Sequence, residues 1–515
     1  HKLKGDYTGS GGGEIRFSGN RLEILTGGAT FNFPGSLFQW TGGEILAGSG
    51  SLTNLGTMNL SGSNLKWMAG TINNANRMTF AGTGNFEIMW GGNYLNNQSG
   101  AVFDIQGYGN VVGRGVFNNY GTLRKSGGGD VTTLDVAFKN YPDAVVEVLS
   151  GTLRLGGGGA EGTSTGGIFN VEAGAVLDLM GGSNQNYTGT YTGSGEGTVL
   201  IGDGQLRVGA EGATFNFPGS LFQWTGGEIY ARSGSLTNLG TMNLSGSNLK
   251  WMAGTMNNAG VVTHTGAGNF HIMWGGNYFN NQSGALYDLQ SDGGLEGTGW
   301  FNNAGTLRKS AGTGSSGFNA KLNNTGTVEV LSGTLNFTES VSQISGATLT
   351  GGTWKVGADS TLSISLGGNI TTNQATIILD GPNSNFPKLN SLTTNKGSFT
   401  ILRGRNFTTV GSLSNTGTIT VGPSSTLAVN GDYTQASELT IQIGDFPESG
   451  KFGRMNITGT ANLGGTLNIV LVDGFGPRAG QSFEIMTFGG RNGQFSTVNG
   501  LVVGKMKLFD IIYTD

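Results

Sequence analysis

Carboxylates come in matched pairs along this chain. Asp104 recurs as Asp288, Glu44 as Glu228, and Glu147 as Glu329. Acid–base cleavage of a polysaccharide needs a cluster of carboxylates in one groove, often with calcium, plus a basic residue. These acids are scattered, and each pair is copied evenly, which suits a structural position better than an active centre. Arg124 and Lys125 recur as Arg308 and Lys309. They are expected on a solvated strand face that discourages lateral aggregation. Besides His1 there are only His264 and His271, whose counterparts in the other copy are Phe80 and Glu87. Surface variation is the expectation for both. The 515 residues include no cysteine, which excludes a thiolate nucleophile and a disulfide framework. No glycine loop ends in Gly-Lys-Ser/Thr, so there is no phosphate-cradling P-loop. Aspartate–glycine turns at 202–204 and 380–383 offer weak calcium ligands and do not match the nonapeptide calcium repeat. Sequons at Asn59, Asn97 and Asn186 leave glycosylation chemically available. The expectation is a protein that is not an enzyme and carries no cofactor.

Tryptophan is duplicated as faithfully. Trp40, Trp67 and Trp90 recur as Trp224, Trp251 and Trp274, with Trp300 and Trp354 outside the pattern. An aromatic stack filling a wide corner is expected of the paired six. The competing reading is an exposed platform for sugar rings. Solvent exposure separates the two.

Behind these pairs lies a repeat. In SLTNLGTMNL, residues 51–60, a hydrophobic residue, an asparagine and a glycine precede a short alternating strand. The phrase returns at Asn54, Asn74, Asn97, Asn119 and Asn140, in steps of 20, 23, 22 and 21 by subtraction. It returns with the same steps at Asn238, Asn258, Asn281, Asn303 and Asn324, and more weakly at Asn373, Asn395 and Asn415. A strand-and-turn phrase recurring near 21 residues marks a solenoid. GTMNL, GTLRKS and GTVEVL alternate with period two, and no window shows helical spacing. Asparagine at one phase of a coil can pass amide hydrogen bonds to the asparagines above and below. Glycine two residues later is expected to supply the positive φ of a tight corner. The fold class is therefore all-β: a parallel, right-handed β-solenoid with rungs of about 21 residues and a β-rich C-terminal module.

A larger period encloses the small one. ATFNFPGSLFQWTGGEI begins at Ala29 and again at Ala213, an offset of 213 − 29 = 184. The match is roughly four-fifths identical through Gln106 and Gln290. The expected blocks are 1–188, its near-copy 189–337, diverged rungs 338–445 and a C-terminal module 446–515. The 98 glycines occur with only 8 prolines and no Gly-X-Y period, which excludes collagen. Net charge is −4 with no basic stripe, so nucleic acid is a poor partner. No apolar run approaches a membrane span. The chain starts at His1 in mid-repeat, because residues 5–13 look like 189–197. A trimmed piece of a longer precursor is the expectation.

The FNNxGTL and SGTL phrases, with SLSNTGTITVGPSSTLAVNGDYTQ further on, resemble large exported bacterial β-helix proteins of the autotransporter-passenger and adhesin kind. That resemblance implies a right-handed parallel β-helix, export to the cell surface or medium, and roles in adhesion, matrix or surface structure. The leading expectation is a non-enzymatic rod that assembles head-to-tail with copies of itself. An adhesin for carbohydrate or other surfaces is second, and a pectate-lyase-like polysaccharide-active enzyme is third.

Overall fold

The computed structural model describes residues 1–156, 162–179, 186–503 and 507–514. Only 2% of it is helical, and its parallel sheets form a β-solenoid of about 19 turns spaced by about 23 residues. The coil is not constant. Stacked asparagines lie 20 residues apart at Asn54 and Asn74 and 31 apart at Asn468 and Asn499. The chain divides into two compact units, His1–Phe279 and Asn280–Asp515.

In the first unit, Tyr94–Asn97 lies between Lys66–Asn74 and Val111–Asn119, parallel to both. Register puts Leu95 between Ile72 and Phe117, and Asn97 between Asn74 and Asn119. Period two then sorts the side chains. Leu52, Ile72, Leu95, Phe117 and Phe138 fill the interior with no exposed surface, while Thr53, Asn73 and Asn96 face outward. In the second unit, Thr376–Asp380 lies between Thr353–Gly357 and Ser398–Leu402. Parallel coiling there continues beyond Asp445, where Glu438–Ile443 pairs with Thr466–Leu471, and the intervening loop carries a short 3-10 turn, Pro447–Ser449.

The aromatic column inside is built mainly from phenylalanine, which corrects the tryptophan expectation. Phe86, Phe103, Phe117 and Phe138 succeed one another at 6.3, 5.1 and 5.7 Å, the last two contacts edge-to-face. Trp40 and Trp224 are fully buried and join this packing against Phe86 and Phe270, each at 5.6 Å. Trp67 and Trp251 are half-buried on the outer face, since each stands between two inward residues, Lys66 and Met68 or Lys250 and Met252. Trp90 and Trp274 sit in turns, 60% and 49% exposed. The six do not form one stack.

The glycine two residues after the ladder asparagine also has another cause than the one expected. A Cβ on Gly56 would stand 2.3 Å from the Phe33 carbonyl oxygen, and one on Gly121 would stand 2.3 Å from Gln98 O. Neither glycine has a positive φ. Coils stacked about 4.8 Å apart leave no room there for a side chain.

Candidate functional site

The ladder asparagines meet in stacked runs. In the first unit Asn54, Asn74, Asn97 and Asn119 each donate from Nδ2 to Oδ1 of the next member, ending on Asn140, every bond 2.8 Å. Asn238 donates likewise to Asn258. In the second unit the runs are Asn281 to Asn303 to Asn324, and Asn373 to Asn395 to Asn415. The amides also serve the backbone, as Asn74 Nδ2 does to Val102 O and Asn97 Nδ2 to Thr122 O, both at 3.0 Å. All of these asparagines are at most 1% exposed. A buried amide with neighbours on both sides leaves no orphaned polar atom. Two features escape the sequence pattern. Gln435 ends the last run, accepting from Asn415 at 3.0 Å. An outer column runs alongside, in which Asn118 donates to Asn96 and Asn96 to Asn73. The doubled asparagines at 73–74, 96–97 and 118–119 were the available signal.

The matched carboxylates pair across coils. Asp104 meets Arg77 at 2.5 Å, Asp288 meets Arg308 at 2.7 Å, Glu147 meets Arg124 at 2.6 Å and Glu329 meets Lys355 at 2.7 Å. Glu44 meets Arg21 at 2.7 Å, and Glu228 accepts from Gln205. Among the described residues no three acidic or histidine side chains gather as a metal site. At the 380–383 turn both oxygens of Asp380 face the fork of Arg403.

Lys125 and Lys309 depart from the solvated face expected of them. Both side chains are fully buried, as are Lys66 and Lys250. Each ammonium caps carbonyls of a glycine-rich turn: Lys66 reaches Asn64 O at 2.8 Å, Lys250 reaches Asn248 O at 2.9 Å and Lys125 reaches Gly127 O at 2.9 Å. Lys309 holds Ser291 O, Ala311 O and Ser316 Oγ, and pairs with Asp292 at 3.1 Å. Turn carbonyls outside the strand ladder need a donor, and here a cation supplies it. Burial lowers the Lys66 and Lys250 pKa values to about 8.

His264 is likewise no surface variant. It is fully buried, with Nε2 2.9 Å from Gly268 O. Burial first, and the nearby Lys250 charge to a lesser degree, hold its pKa at about 4. Because this lies below the value near 6.5 of an unfolded histidine, the neutral ring stabilises the fold above that pH. The contribution disappears as pH falls from about 6.5 to 4, a loss of about 3 kcal/mol. His264→Phe, which restores the residue found at Phe80, should remove that acid sensitivity. Urea midpoints at pH 7 and 4.5 measure it, and equal acid losses in parent and variant would contradict the assignment. His271 is half-buried and packs on Trp251 at 4.4 Å.

The surface offers two further features. Trp90 and Tyr94 are exposed together, as are Trp274 and Tyr278, and the Arg232 guanidinium lies over Trp274 at 5.1 Å. In the second unit a polar cleft of about 480 Å³ is lined by Asp359, Thr361, Asn383, Ser384, Asn385 and Arg405. Nothing periodic announced the cleft; its only trace in the sequence is the break in alternation at 381–385 and 403–406.

No family model, curated protein or solved structure matches the chain.

Proposed function

We propose that this chain is a non-enzymatic structural rod of the bacterial surface or extracellular matrix that adds to further copies of itself head to tail. The observation behind this reading is the stacking of near-copied coils inside the chain. Asn186–Ser194 pairs in parallel with Thr163–Val171, and Tyr191 and Val199 are fully buried. Tyr7 and Ile15 hold the same positions in the first near-copy. The chain thus contains coils whose faces fit one on another. A coil from a second copy would complete the same ladder by strand addition. Such a contact joins unlike surfaces, so it does not close and yields filaments.

Negative-stain microscopy and sedimentation of the 515-residue chain test this. Filaments that lengthen with concentration, and that shorten or vanish in Tyr7→Lys and Ile15→Lys, are the expected result. Strictly monomeric rods at high concentration would sink the idea.

A second reading, adhesion to carbohydrate or other surfaces, draws on the exposure of Trp90 and Trp274 at equivalent turns. Loss of glycan binding in Trp90→Ala and Trp274→Ala would favour it.

A further inference from the structure

The cleft of the second unit exists because one coil abandons its strand. Thr361–Ile364 and Asn406–Thr409 are strands on this face. The coil between them carries instead a 3-10 turn, Pro387–Ser391, and meets the first strand only through a single bridge from Thr361 to Asn385. The gap is walled by three successive corners. Asp359 and Asn383 hold left-handed backbone, φ 54° and 56°, and Asn383 Nδ2 donates to Asp359 Oδ1 at 2.8 Å. Its volume, about 480 Å³, lies in the range of small-molecule sites.

The charges in the cleft lack counter-ions among the described residues. Arg403 is committed to Asp380, but Arg405 two residues on has no carboxylate within ion-pair distance among the described residues. Its Nε is buried without a hydrogen-bond partner, while Nη1 donates to the Asn406 carbonyl and the guanidinium lies 5.9 Å over the Phe407 ring, neither of which neutralises its charge. A half-buried guanidinium without a counter-ion is costly to hold, and burial already depresses its pKa. An incoming carboxylate is the partner its planar fork recognises best. Asp359 has no cation within ion-pair distance among the described residues either. Asp359 also disfavours a dianion such as a phosphomonoester, because the lining carries one charge of each sign. The other walls, Thr361, Asn383, Ser384 and Asn385, are hydroxyls and amides suited to sugar hydroxyls, and no aromatic ring or aliphatic side chain lines the cleft.

We propose that this cleft binds an acidic saccharide, with Arg405 on the carboxylate of a hexuronate and Asp359, Asn383 and Asn385 on its hydroxyls. The proposal goes beyond the rod function and does not depend on filament assembly. A rod carrying such sites would be held by anionic polysaccharide.

Calorimetric titration of the full chain with cellobiouronic acid, and with cellobiose, which has a hydroxymethyl group in place of the carboxylate, tests it. Saturable binding of the acid is expected, at least tenfold tighter than cellobiose and weakened by salt, because a site built for a charged group rejects the analogue without it. Arg405→Ala, checked by its thermal midpoint, should weaken the acid at least tenfold and leave cellobiose unchanged. No binding of the acid at millimolar concentration, or equal binding of both sugars by the parent chain, would overturn the proposal even if the variant fails to fold. So would a folded Arg405→Ala that binds the acid as the parent does.

Discussion

Asn97→Ala should be among the most damaging single changes in the interior, costing about 3 kcal/mol. Asn97 is the middle of a five-member column, donating to Asn119 and accepting from Asn74. Truncation takes the acceptor from Asn74 Nδ2 and a donor from both Asn119 Oδ1 and the Thr122 carbonyl, all in surroundings that exclude water. Each orphaned buried group costs about 1–3 kcal/mol, and the missing amide leaves a small void. The adjacent Asn96 provides the control. It also bonds to asparagines above and below, but on the outer face, where water can replace the lost partners. Asn96→Ala should cost about 1 kcal/mol or less. Repeat arrays lose coil-by-coil cooperativity, so local amide hydrogen exchange is the better readout. Protection should fall over the coils containing Asn74, Asn97 and Asn119 in the first variant and stay near parental in the second. Equal losses would show that burial does not set the column's worth.

Gly70→Ala should be worse still, as should Gly254→Ala. Strand Gly43–Asn54 and strand Lys66–Asn74 change register between Ala47 and Ser51, where three residues loop out. Gly70 crosses under that loop with φ 87°, and a Cβ there would lie 1.9 Å from Ala47 O and 2.2 Å from its carbon. Gly254 repeats the arrangement against Ala231 with φ 95°. The obstacle is backbone, which cannot rotate aside as a side chain can. Left-handed φ adds a cost of about 1 kcal/mol, and the clash forces coils apart, so a total above about 4 kcal/mol is expected, in the exceptional range for one substitution. Gly91→Ala, with open space around it and an ordinary φ, should be neutral. Thermal midpoints and soluble yield of the three variants decide. A Gly70→Ala chain as stable as Gly91→Ala would mean that the loop yields freely.

The coil and its asparagine phase were legible because both follow from local rules that repeat: alternation, and one polar residue per corner. The tryptophans and lysines were misplaced by giving residue type more weight than parity. In Thr122–Lys125, Leu123 faces inward, so period two already required Lys125 to face inward, with Thr122 and Arg124 outside. The same counting puts Lys66 inside and Trp67 outside. Charge argued for solvent, but the turn carbonyls that neutralise it are not visible as a motif. His264 hid for a related reason, as it occupies a phenylalanine position whose parity was known from Phe80. The cleft left no more than the break in alternation at 381–385 and 403–406, since it arises where a coil lacks its strand, and an absent strand leaves no pattern to count.

The two asparagine columns run in opposite senses. Inner amides donate toward the later coil, as Asn74 does to Asn97, while outer amides donate toward the earlier one, as Asn96 does to Asn73. Backbone carbonyls that accept from the inner Nδ2 atoms fix the first direction. Each amide carries a dipole of about 3.5 D, so an inner column alone would accumulate a macrodipole along the stack, as a helix does. The adjacent outer column carries dipoles of the opposite sign and cancels much of that field. Its asparagines thus act as an electrostatic return path, lowering the net dipole that each added coil contributes along the stack.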